Sequence, residues 1–99
     1  MVNDKLMHHE DVFIFASTPM CGTCQLAEKM LTVIAEARPE TLIGKLNMNY
    51  HPDIAQAWEI ESVPCLLHIK NQRVEKRMYA FQSVPHILDF MTYPSKPTS

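Results

Sequence analysis

Two thiols two residues apart, Cys21-Gly22-Thr23-Cys24, are the side chains of this sequence best placed to do chemistry. Such a pair can close into a disulfide and reopen, moving two electrons to or from another disulfide. It can also be inert, or supply half of a metal site. Zinc normally takes four ligands. Cys65 and five histidines remain, and none of them forms a second paired motif. Redox chemistry is therefore the leading reading, with a metal carrier behind it.

The elements around the pair decide how it would work. Val12-Phe13-Ile14-Phe15-Ala16 is a continuous apolar run that reads as a central strand buried on both faces. Ser17-Thr18-Pro19 breaks it, and the spacing of Leu26, Ala27, Met30, Leu31, Ile34 and Ala37 predicts a helix from about Gly22 to Arg38, stopped by Pro39. Cys21 then sits at or just before a helix start, beside unpaired N–H groups and the positive end of the macrodipole. A free thiol, with a pKa of about 8.5, is only slightly ionised at neutral pH, whereas such positions bring thiols down to roughly 3.5–7.5. Cys21 reads as the exposed nucleophile. Cys24 shares a helical face with Ala27 and Leu31, points inward and reads as the resolving thiol. Gly22 is expected to allow a tight turn and close approach by a partner. Thr23 offers a hydroxyl near the nucleophile.

The rest of the chain continues the pattern. Leu42 to Met48 reads as a second strand, completing a βαβ unit with a right-handed crossover. His51-Pro52-Asp53 opens a short helix in which Ile54 and Trp58 face inward. Cys65 to Lys70 is expected as a strand alternating Cys65, Leu67 and Ile69, followed by a turn at Asn71-Gln72. Arg73 to Ala80 is expected to place Val74, Met78 and Ala80 on one face. Ser83 caps a last helix bearing Val84, Ile87, Leu88 and Met91. The order is β-α-β-α-β-β-α. Residues 1–99 read as a single domain, with a tail frayed from about residue 93.

The sequence resembles the thioredoxin family over roughly Val12 to Met91. Met20-Cys21-Gly22-Thr23-Cys24 looks like the family's active-site motif, and Ser62-Val63-Pro64 looks like its loop beside the dithiol. The resemblance implies an α/β thioredoxin-like fold: a central mixed sheet of about four strands flanked by helices. It also implies a cis Pro64, and a Val63 backbone that binds an extended substrate. Departures are visible too. Met20 replaces the usual tryptophan, Thr23 the motif proline, and Phe15 the family's buried acid. Glu28, four residues after Cys24, is the nearest acid and reads as a solvated surface residue. Only eleven residues precede Val12, so the family's first strand and helix are expected to be cut short. This looks like a minimal or divergent member.

Composition bounds the partners. Nine Lys and Arg against eleven Asp and Glu give a net charge of −2, which leaves no basic surplus for nucleic acid. The Lys70 to Arg77 cluster reads as a solvated hairpin edge. No run is long enough to span a membrane, and Met1 to Glu10 lacks the features of a secretory signal, so a cytoplasmic monomer is expected. No flavin- or nucleotide-binding motif is present. The only redox group expected is the Cys21–Cys24 disulfide itself, and electrons would come from an external reductase or a low-molecular-weight thiol.

Cys65 reads first as a buried core residue, with a third redox thiol as the sharper alternative. His8 and His9 read as solvated, and His51, His68 and His86 as surface or capping residues. Met20, Val63 and Ala80 are expected to rim Cys21 as an apolar docking patch for unfolded or extended protein substrates, and the partners expected are disulfide-containing proteins. The function expected is thiol–disulfide exchange. The alternative is a non-catalytic redox-sensing adaptor using the same dithiol.

Overall fold

The computed structural model describes residues 11–92. Strand β1 (Asp11–Ser17) leads to helix α1 (Gly22–Ala37) and strand β2 (Ile43–Asn47). A 3-10 turn (Met48–Tyr50) and the short helix α2 (Pro52–Ala57) follow, then the hairpin β3 (Cys65–Lys70) and β4 (Arg73–Met78), and finally helix α3 (Val84–Thr92). The four strands form one mixed sheet in the order β2-β1-β3-β4. β1 runs parallel to β2 and antiparallel to β3, and β3 is antiparallel to β4. The expectations for residues 1–10, including His8 and His9, and for the tail from 93 lie outside the described residues.

Continuous hydrophobicity puts β1 in the middle. Val12 to Ala16 are all buried, and the two-residue period of a strand sends them to opposite faces. Phe13 and Phe15 join Cys24, Ala27, Leu31, Ile34, Leu66, Met78 and Ile87 on the face carrying α1 and α3. Val12, Ile14 and Ala16 join Leu46, Cys65, Leu67 and Ile69 on the face where Ile54 of α2 and Trp58, at its C-cap, pack. The stripe α1 buries is narrower than its sequence predicts. Cys24, Ala27, Leu31 and Ile34 are covered, whereas Leu26 is 57% exposed and Ala37 lies in water.

β3 does not alternate. Cys65 to Ile69 are all buried, because this strand is flanked by β1 and β4 and covered on both faces. His68, expected at the surface, is therefore inside. Its ring stacks on Phe13 at 4.8 Å between centroids, and its Nε2–H donates to Asp11 Oδ1 at 2.8 Å. The hairpin turn takes positive φ at both Asn71 (53°) and Gln72 (67°), the pattern of a tight two-residue loop matched to strand twist.

β4 departs most from expectation. A register shift opposite His68 and Ile69 pairs His68 with Lys76 but Ile69 with Val74, leaving Glu75 as an extra residue. Val74 consequently packs with Ile69 on one face of the sheet, while Met78 packs with Leu66 on the other. Ala80 is exposed. Nor is the hairpin's basic cluster simply solvated. Lys76 donates from Nζ to the Phe90 carbonyl in the last turn of α3 and lies 4.7 Å from that residue's ring centroid. Arg77 Nε donates to the Trp58 carbonyl at 3.0 Å.

The segment before β3 is fixed at both ends. α2 closes with Ile60 N–H bonded to Ala55 O (2.8 Å) and Glu59 N–H to Gln56 O (3.2 Å), with Glu59 at a φ of 55°. That paired arrangement around a left-handed residue is a Schellman cap. Tyr79 Oη then accepts from Glu61 N–H at 3.2 Å, tying the loop to the chain just past β4. The Val63–Pro64 peptide bond is cis.

Candidate functional site

Cys21 is the N-cap of α1, in extended conformation at φ −102° and ψ 111°. At an N-cap a side-chain acceptor normally satisfies one of the helix's orphan N–H groups. Here the acceptor is sulfur: Cys24 N–H donates to Cys21 Sγ at 3.0 Å. The Thr23 hydroxyl lies 3.3 Å from the same sulfur. No acidic residue occupies the first turn, so nothing there opposes negative charge on Cys21.

The two thiols are joined as a disulfide with Cα atoms 5.1 Å apart, and their environments differ. Cys21 is partly exposed, whereas Cys24 is buried in the core cluster with Ala27 and Phe15. The helix itself sets this asymmetry. Cys21 precedes the first turn and faces out, while Cys24 belongs to the inward stripe that continues through Ala27 and Leu31.

Gly22 is not needed for the turn. Its φ is not positive, and a Cβ there would meet nothing within 4 Å. Met20 stands 92% exposed beside the dithiol. Val63 is half-buried, packed against both core clusters, and Pro64 is half-buried beside it. The apolar surface near the dithiol is built differently from the expected rim. A cavity of about 250 Å3 is lined by Thr23, Leu26, Ala27, Pro64, Tyr79 and Phe81. Leu26, Tyr79 and Phe81 were not legible as site residues. Leu26 sits in a helical apolar pattern that reads as core, and the other two follow a strand whose bulge the sequence hides.

Cys65 is the free cysteine, fully buried on the sheet face opposite Cys24. Burial pushes its thiol up to about 11, against smaller opposing effects of the Tyr79 hydroxyl, Arg77 and the Met78 backbone. The core reading describes this residue better than that of a third redox thiol. Among the described residues, no group of three or more His, Cys, Asp or Glu is placed to hold a metal. No described helix is long and apolar enough to cross a membrane.

Comparison with known proteins follows the same line. Residues 2–93 match the family described as Thioredoxin. The thioredoxin-like protein YusE of Bacillus subtilis is 43% identical over 97 residues, covering 96% of this chain and 92% of that protein. A thioredoxin of Mycoplasma genitalium is 30% identical over 69 residues, 70% of this chain and 68% of its own. In structure, a mutant thioredoxin from Halobacterium salinarum superposes with a TM-score of 0.80 at 18% identity, over 97% of this chain and 84% of that one. Mitochondrial thioredoxin 3 of Saccharomyces cerevisiae, in its oxidised form, gives 0.76 at 18% identity over 89% and 82%.

Proposed function

The chain belongs to the thioredoxin family, and on that premise we propose that it is a thiol–disulfide oxidoreductase in which Cys21 attacks and Cys24 resolves. The observation that carries this reading is the asymmetry of the pair. One sulfur is reachable and holds the helix N-cap, and the other is buried directly behind it. A Cys21 thiolate attacks one sulfur of a substrate disulfide, forming a mixed disulfide and releasing the first substrate thiolate. The Cys24 thiolate then attacks Cys21 Sγ, the mixed disulfide breaks, and the second substrate thiolate leaves. Two electrons have passed to the substrate, and the protein holds the Cys21–Cys24 disulfide. An external reductase or a low-molecular-weight thiol returns the electrons.

The helix N-terminus, the Cys24 N–H and the Thr23 hydroxyl all favour negative charge on Cys21 during attack and during its release as leaving group. Met20 and the cavity beside Pro64 offer apolar contact to an extended protein substrate, and the Val63 backbone offers hydrogen bonds. We place the protein in the cytoplasm as a monomer acting on disulfide-containing proteins.

The test is an equilibrium redox titration of the pair in a Cys65→Ala background, followed by turnover on a model protein disulfide at catalytic stoichiometry. A potential well below the glutathione poise together with many turnovers supports a reductant. A single turnover with stable partner capture in one thiol state would replace this reading with a redox-sensing adaptor. Failure to form the disulfide at any poise would remove both. Cys24→Ser is expected to accumulate the mixed disulfide, and Cys21→Ser to form none.

A further inference from the structure

The resolving step needs a thiolate at a buried position, so the Cys24 proton must have somewhere to go. Beneath the dithiol β1 offers no acceptor, because Val12 to Ala16 are all apolar and buried. An opening exists on the other side. A cavity of about 390 Å3 lies between the loop after β1, the first turns of α1 and the end of β2, and Cys24 lines its wall. A space of that size admits several water molecules. Its titratable lining groups are Cys24 and Glu28 from α1 and Lys45 from β2; the loop after β1 contributes none.

Glu28 is suited to serve this cavity. It lies four residues after Cys24 on the same helical face, and helical side chains lean toward the N-terminus, over the preceding turn. Its carboxylate is ion-paired through Oε2 with Lys45 Nζ. Lys45 is in turn fixed by its register opposite Phe15 in β1.

We propose that Glu28, positioned by Lys45, accepts the Cys24 proton through water in this cavity during resolution of the mixed disulfide. This rests on the reading of the dithiol given above. The proton passes from Cys24 Sγ by way of water to the Glu28 carboxylate. The resulting Cys24 thiolate attacks Cys21 Sγ, and the departing substrate thiolate takes up a proton from Glu28 or solvent. No other oxidant or reductant enters the step. Glu28 touches neither reacting sulfur in this scheme, and Lys45 acts only by holding it.

The reaction of reduced protein with an aromatic disulfide that releases a coloured thiol separates the two steps. The first equivalent released reports attack by Cys21, and the second reports resolution by Cys24. In Glu28→Gln the second phase is expected to slow about tenfold near pH 7, a decade below the roughly 100-fold at which direct general-base effects begin, because the acceptor acts through water. The first phase is expected to stay within twofold. The deficit should shrink as pH rises and vanish once Cys24 ionises unaided. Lys45→Gln should show a smaller deficit with the same pH trend. An unchanged second phase would overturn the proposal, and so would a slowing independent of pH, which would mean a structural role. Absence of a second release from the wild type would be a different failure, since it removes the dithiol reading itself.

Discussion

Cys65 supplies a quantitative check on the packing behind the site. In the unfolded chain its thiol ionises near the ordinary value of 9.0, whereas in the folded protein it keeps its proton up to about 11. Between those values the folded state binds more protons than the unfolded state, so raising the pH favours unfolding. Each pH unit in that window costs about 1.4 kcal/mol, and the cost at pH 10.5 comes to about 2 kcal/mol. Below pH 8.5 it is negligible. Cys65→Ala removes the titrating group, and the two proteins share every other one. Urea unfolding of the disulfide-intact proteins at several pH values from 7.5 to 10.5 gives the difference directly. The wild type should be the more stable near neutrality, by about 1 kcal/mol for the lost sulfur packing, and that advantage should reverse as the pH approaches 10.5. A difference constant to within about 0.5 kcal/mol, or one that grows with pH, would refute the claim that Cys65 is enclosed in the folded core.

Three further outcomes follow from the geometry. Gln72→Gly should raise stability by about 1 kcal/mol in a urea titration, because Gln72 holds a left-handed φ of 67° that costs a side-chain-bearing residue about that much. Gly22→Ala should be neutral or stabilising by up to about 0.5 kcal/mol, since a Cβ there meets open space. It should nevertheless slow exchange with protein disulfides more than with a small disulfide; equal effects on both would remove any role for Gly22 in partner approach. Lys76→Ala should lower stability by about 1 kcal/mol through loss of its contacts with the Phe90 carbonyl and ring at the end of α3, and a change below about 0.3 kcal/mol would show those contacts to be idle.

Local pattern determined much of this protein. The apolar run Val12 to Ala16 could only be an inner strand, the spacing of Ala27, Leu31 and Ile34 fixed the inward face of α1, and the position of Cys21 before that helix made it an N-cap. Ser83 caps α3 as its place in the sequence suggests, its Oγ accepting from His86 N–H at 3.2 Å. These features depend on neighbours within one or two turns, which the sequence states directly. What depends on strands meeting across the sheet was not legible. His68 looks like a surface residue until β1 and β4 flank β3 on its two edges, Phe13 stacks on its ring and Asp11 comes within 2.8 Å of it. Val74 and Met78 share a face by counting, but a single extra residue at Glu75 sends them to opposite sides. Glu28 is a partly solvated helix residue, as its sequence suggests, but only the fold shows that β2 brings Lys45 against it and that both line one cavity with Cys24. Contacts between residues far apart in the chain are set by register and by which face a strand presents, and only the assembled sheet fixes both.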